Sequence, residues 1–310
     1  MLRRSAALVV AVSLFAACGG TPASGPSPAA SPSPAFPRTF VDDDGVTVTL
    51  PAPPERIVTF APSITEIVFA IGAGDRLVGV SGPYDDVPAE ATALPEVGGA
   101  GEFGVDPNLE AVVALEPDLF LTIRGGDAWK DRLRDLGVPV VTVDATDLDD
   151  LLADIATIGA LVGADTAAAD LVDAMASRIA ELEATAATSP RRTCFFEVYY
   201  PPLMTAGPGT FIDDLLERAG CDSVSAGAAT AYPEWSIEDV VAASPDVYLV
   251  SSESAADLAA VAERAGFDAI AAVAGGRVVR IDSDLVTRPG PRIVDGLAAL
   301  VAALAGDPAA

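Results

Sequence analysis

The chain has 310 residues and 51% of them are hydrophobic, enough for two domains of ordinary size with cores of their own, so disorder throughout is excluded. Forty-five acids against 18 bases leave a formal charge of −27, spread along the chain, and such a surface repels nucleic acid and anionic lipid, which rules out a nucleic-acid function. There is no histidine, which removes Ser-His-Asp and Cys-His nucleophile pairs, His-ligated zinc and HExxH helices. Carboxylate-only glycosidase chemistry, which needs two acids roughly 5 to 9.5 Å apart, is the enzyme alternative that stays open.

Residues 1–18 carry Arg3 and Arg4, an apolar run too short to span a bilayer, and then Ala16-Ala17-Cys18-Gly19. This is the layout of a secretory signal. Residues 19–38 are almost entirely Pro, Ser, Ala, Gly and Thr and read as an extended tether. In an exported protein, Cys194 and Cys221 form an even pair once Cys18 is set aside, and a disulfide is the default expectation, against two buried free thiols. Closing that loop contributes about 3 to 4 kcal/mol by chain entropy.

The globular part opens with a hairpin, 39–41 and 46–50, around Asp44-Gly45, a type I′ turn signal. Strands and helices then alternate: strand 56–60, helix 64–71, strand 77–81, helix 109–115, strand 119–124, helix 128–136, strand 138–143. Alternation of this kind means a mostly parallel sheet covered by helices. Ser63 and Glu66 follow Pro62 in the S-x-x-E pattern of a capping box. Gly99 to Gly104 matches GxGxxG by letter, but it neither follows a strand nor opens a helix, and is read as a loop.

Between residues 148 and 187 only helical spacing appears, broken once at Gly163-Ala164-Asp165. Leu171, Val172, Met175, Ile179 and Leu182 mark a helix over 166–186, about 30 Å long, which reads as a spine between two α/β halves. The second half resumes with strand 194–199, helix 211–219, helix 237–243, strand 247–251, helix 256–265, strand 278–281 and helix 292–305.

One unit occurs twice. NLEAVVALEPDLFL at 108–121 returns in register as SIEDVVAASPDVYL at 236–249, with Glu110/Glu238, Pro117/Pro245 and Asp118/Asp246 matched. Each copy is a cap, a short helix, a Pro-Asp stop and a buried strand, half of a βαβ unit. The expected fold is therefore α/β, two lobes with mostly parallel sheets and flanking helices joined by one long backbone helix: leader 1–18, tether 19–38, first lobe 39–147, helical connection 148–189, second lobe 190–310. A cleft between lobes is where a small ligand binds.

These residues resemble the substrate-binding proteins of ABC importers that carry two α/β lobes on one rigid helix, a family that binds cobalamin, ferric siderophores or haem. The stretches that carry the resemblance are 56–72 (RIVTFAPSITEIVFAIG), 108–118, RGGD at 124–127, VPVVTVDATD at 138–147, 232–246 and 283–300. RGG followed by VDAT, with Ser283-Asp284 ahead of Arg288, is most similar to the vitamin B12-binding members. The resemblance implies acylation of Cys18 and a lipid anchor on the outer face of the cell membrane. It also implies a monomer without catalysis or cofactor, whose ligand is cobalamin or another metal chelate and whose partner is an ABC permease dimer with its ATPase subunits. It assigns ligand contacts to Pro62, Tyr84, Phe103, Arg124, Met204, Tyr232 and Trp235, and hydrogen bonds to corrin amides to Asp284 and Arg288. Glu110 and Glu238 would meet arginines of the permease, although the helix dipole alone also favours a carboxylate at each position. Asp284 and Arg288 read equally as an i, i+4 ion pair.

Overall fold

The computed structural model describes residues 35–99, 105–255 and 257–306. The expected leader, Cys18, most of the tether and Phe103 lie outside those residues. The first described elements are strands β1 (Arg38–Val41) and β2 (Thr47–Leu50), paired antiparallel. Their turn is not type I′: of Asp44 and Gly45 only Gly45 has a positive φ, 76°. Instead Gly45 N–H donates to Asp42 O and Asp42 N–H to Val46 O, a three-residue loop closed by a left-handed glycine. The reason is tertiary. Asp42 is buried and its carboxylate accepts from Thr142 N–H, while Asp43 N–H donates to Thr142 O, so the sheet below decides the shape of the tip.

The first half continues as β3 (Ile57–Phe60), α1 (Pro62–Ala70), β4 (Leu77–Gly79), α2 (Leu109–Ala114), β5 (Leu119–Thr122), α3 (Asp127–Asp135) and β6 (Val140–Thr142). Its four strands run parallel in the order β4-β3-β5-β6. Two helices follow, α4 (Leu148–Val162) and α5 (Asp165–Ala186), separated where Gly163 takes φ 72° and stops the first. The second half comprises β7 (Arg192–Tyr199), β8 (Met204–Thr205), α6 (Phe211–Arg218), β9 (Cys221–Ser223), α7 (Ile237–Ala243), β10 (Val247–Ser251), α8 (Leu258–Ala262), α9 (Ala271–Ala274), β11 (Val278–Ile281), α10 (Asp284–Thr287) and α11 (Ile293–Ala305). Its sheet runs β11-β10-β7-β8, with β9 also on β7 and only β8 antiparallel. Cys194 on β7 and Cys221 on β9 are joined as a disulfide, Cα atoms 5.8 Å apart. The short elements β8, β9, α9 and α10 have no periodicity of their own and are not legible in the sequence.

The repeat is structural to the level of single bonds. Asn108 and Ser236 cap α2 and α7 with their side chains. Glu116 and Ser244, matched positions, are the non-glycine residues with positive φ among those described, at 48° and 47°. Asp118 and Asp246 do more than end a helix. Asp118 accepts from Glu55 N–H and Arg56 N–H at the start of β3, and Asp246 accepts from Thr193 N–H and Oγ1 on β7. Each carboxylate pins its strand to the strand beside it.

The inner faces of both sheets share one hydrophobic core. It runs from Ile57, Leu119 and Val141 through Ile155, Ile158, Met175 and Ile179 to Phe196, Leu249 and Leu300, with α4, α5 and α11 between the sheets. The outer faces are closed separately, by Val58, Phe120 and Leu133 on one side and Phe195, Tyr248 and Phe267 on the other. Helix α5, at 22 residues about 33 Å long, buries only one stripe: Ala168, Met175, Ile179 and Leu182. All three cores fall within Ser33–Ala310, one compact unit, so this part is able to fold without the residues before it.

Candidate functional site

In a parallel sheet the loops that follow the strands gather at one edge, the usual place for a ligand. Here they enclose an open cavity of about 630 Å³, walled by Phe60 at the end of β3 and Pro62 beyond it, Ser81 to Tyr84 after β4, Thr122 at the end of β5 with Ile123 to Gly126 beyond it, and Trp129. Trp129 is held edge-on between Phe60 and Phe120, with ring centres 5.7 and 5.8 Å away. Its position depends on Gly126, which has φ 73° and whose missing Cβ would sit 2.0 Å from Trp129 Nε1. Trp129 is not among the residues that the sequence resemblance assigns to the ligand; the Gly-Gly pair before it is the signal that a bulky ring closes over the turn.

Tyr84 stands 69% exposed on the opposite rim. Its loop is built on Asp85, whose buried carboxylate accepts from Thr65 Oγ1, Ser81 Oγ and Gly82 N–H. Pro62 sits at the first turn of α1. The expected capping box is absent: Ala61 is the cap residue and makes no side-chain bond, Ser63 is buried, and Glu66 turns inward. Proline at the first helical position already lacks the N–H that a cap would satisfy. Glu66 instead holds Arg292, at 2.7 and 2.9 Å.

Arg124 is half exposed on the cavity wall, 3.7 Å from Asp144. Burial pushes the Asp144 carboxyl up, opposed by Arg124. Deeper, burial together with the charges of Asp43, Asp150 and Asp144 pushes Asp154 up to about 7. Asp144 and Asp154 border a void of about 20 Å³ beside Ser63 and Pro289. That is room for one water, not for a sugar, so these raised acids do not form a hydrolase site.

On the second half, Met204, Tyr232 and Trp235 come together, since Trp235 N–H donates to Leu203 O and Thr205 N–H to Pro233 O. Tyr232 is exposed, and Trp235 is half buried against Phe195, 5.6 Å between rings. None of the three lines the 630 Å³ cavity. Asp284 and Arg288 pair at 3.0 Å. Arg288 is not an exposed residue, with 14% of its side chain accessible, and it reaches across to the other half, donating to Tyr84 O and Asp86 Oδ1, both at 3.1 Å. It thus ties down the loop that carries Tyr84.

Glu110 and Glu238 occupy the second helical positions of α2 and α7, both exposed. Among the described residues no group of three or more acids or cysteines is arranged to hold a metal ion, and no helix is long and apolar enough to cross a membrane.

A family model described as periplasmic binding protein matches residues 57–285. An uncharacterized ABC transporter substrate-binding lipoprotein of Bacillus subtilis is 33% identical over 97% of this chain and 96% of its own. A cobalamin-binding protein of Halobacterium salinarum is 35% identical over 85% of this chain and 73% of its own. Among solved structures, the periplasmic vitamin B12 binding protein of Vibrio cholerae superposes with a TM-score of 0.71 at 26% identity, covering 81% of this chain and 97% of that one.

Proposed function

We propose, from the premise that this chain belongs to the periplasmic binding protein family of ABC importers, that its cargo is cobalamin or a related corrinoid. The family comprises extracytoplasmic substrate-binding proteins of transport, not enzymes. The observation that carries the corrinoid reading is the cavity wall: Phe60, Trp129 and Tyr84 around about 630 Å³, with Arg124 as the cation on its rim. Flat apolar rings suit the faces of a macrocycle, and a few polar groups orient it. The relative named as cobalamin-binding supports the same choice.

In this reading Pro62, Tyr84, Phe103 and Arg124 contact the ligand from the first lobe and Met204, Tyr232 and Trp235 from the second. Asp284 and Arg288 act at its edge, Asp284 by holding Arg288 and Arg288 by its hold on the Tyr84 loop. Lacking histidine, the protein takes cobalamin with its own axial ligands in place. Glu110 and Glu238 meet cations of the permease dimer, and Cys18 carries the lipid that keeps the receptor at the outer face of the membrane.

The test is a calorimetric and fluorescence titration of Ser33–Ala310 with cyanocobalamin, haemin and a ferric hydroxamate. Saturable one-to-one binding of cyanocobalamin with quenching of Trp129 is the expected result. Binding of haemin or the siderophore alone would move the assignment to that chelate within the same family.

A further inference from the structure

We infer that the groove between α2 and α3 seats a short amphipathic helix on the outer face of the permease, so that the two halves of the receptor dock unequally. This rests on the reading that an ABC permease docks here, and it deepens the role given to Glu110. Leu109, Glu110, Val113 and Ala114 of α2, with Arg132 of α3 and Leu136 at its C-terminal cap, line a groove of about 450 Å³. Val113 is 40% exposed and Leu136 61%. Two large apolar side chains open to water in one groove are the mark of a surface that another molecule covers.

The internal repeat provides the comparison. Val241 stands in α7 where Val113 stands in α2, and Ile237 where Leu109 stands. Val241 and Ile237 are both packed against the outer core of the second half. Part of their cover comes from the connection between β10 and β11, which holds α8, a turn at Phe267–Ala269 and α9. A Cβ on Gly266 would lie 3.4 Å from Ile237 Cγ2, so this connection touches α7, and Phe267 beside it is buried in the same core. In the first half one helix, α3, joins β5 to β6. The same face is thus made twice, sealed in one copy by the chain's own short helical segment and left open in the other.

The charges on the groove describe what fits it. Glu110 and Arg132 are exposed with opposite sign, and among the described residues neither has an ion-pair partner. An apolar strip between a free acid and a free base is the complement of an amphipathic helix that carries a base and an acid beside its apolar face. A second copy of this chain suits the groove less well, because two bodies of formal charge −27 repel one another. The permease is the partner because Glu110, the residue proposed to meet it, lies on the groove itself.

The test needs no cargo. The permease–ATPase complex of the same cells, in phosphatidylcholine nanodiscs, is titrated with Ser33–Ala310 and its variants. Val113→Asp and Leu136→Ser should each weaken association about tenfold, a typical share for one apolar side chain at the centre of an interface. Val41→Asp, at an exposed apolar position outside the groove, should leave it unchanged. All three positions are exposed, and equal melting temperatures check that the fold is kept. A benzophenone amino acid in place of Leu136 should cross-link to an outer helix of the permease subunit, identified from the mass of the joined peptides. Parent affinity in both groove variants, with loss on charge reversal of Glu110 and Glu238, would overturn the groove and leave the glutamate contacts standing. Loss in the groove variants alone would keep the groove and remove the glutamates. Cross-linking to a second copy of this chain, or no association of the parent protein with the complex, would overturn the proposal.

Discussion

Arg292 and Glu66 meet in a two-point ion pair, 2.7 and 2.9 Å, that fastens the start of α11 in one half to α1 in the other. Glu66 is 5% exposed, and its hydrogen bonds hold the Arg292 guanidinium above its usual range. Arg292→Ala strands a buried carboxylate, a loss of about 3 kcal/mol, the low end for a broken buried pair because Arg292 is itself partly exposed. Urea unfolding should show that loss, and the double variant Glu66→Gln/Arg292→Ala should recover most of it.

Gly126→Ala places a methyl 2.0 Å from Trp129 Nε1 at φ 73°. The left-handed conformation alone costs about 1 to 2 kcal/mol, and the ring has to leave its seat between Phe60 and Phe120. Corrinoid affinity is expected to fall about tenfold and ligand quenching of Trp129 to weaken. Unchanged titration curves would remove Trp129 from the cavity wall.

Stability should fall as pH rises past Asp154. Its folded pKa, about 7, lies above the unfolded value near 3.8, so the folded state binds more protons between those limits and is favoured at their acid end. Asp154→Asn keeps the neutral shape at every pH. Its melting temperature should exceed the parent's by a few degrees at pH 7.5, and the difference should shrink toward pH 4.

Charge reversal of Glu110 and Glu238 together should abolish uptake by cells while leaving corrinoid affinity of the isolated protein within twofold. Both side chains are exposed and neither lines the cavity. Normal uptake by the double variant would show that the permease docks elsewhere.

What could be read from sequence followed from local pattern. The two halves, the break at Gly163 and the repeated cap–helix–strand step follow from apolar spacing and from Asn108 and Ser236 in front of it. The S-x-x-E match at Ser63 misled because Glu66 answers to Arg292, a partner no local pattern contains. The i, i+4 link between Asp284 and Arg288 was visible, but not the reach of Arg288 to Asp86, since only the fold brings those loops together. Trp129 was overlooked as a wall residue because its helical spacing conceals the turn that aims it. The hairpin tip failed for the same reason: Asp42 is held by Thr142, far along the chain.

The shared core between the sheets has a mechanical meaning. Leu119, Ile158, Met175, Phe196 and Leu300 belong to one apolar mass, so bending the two halves apart would bring into water side chains that now face one another, at about 25 cal/mol for each Å² exposed. In the proposed role, force from a docked permease would act on the two halves against that cost.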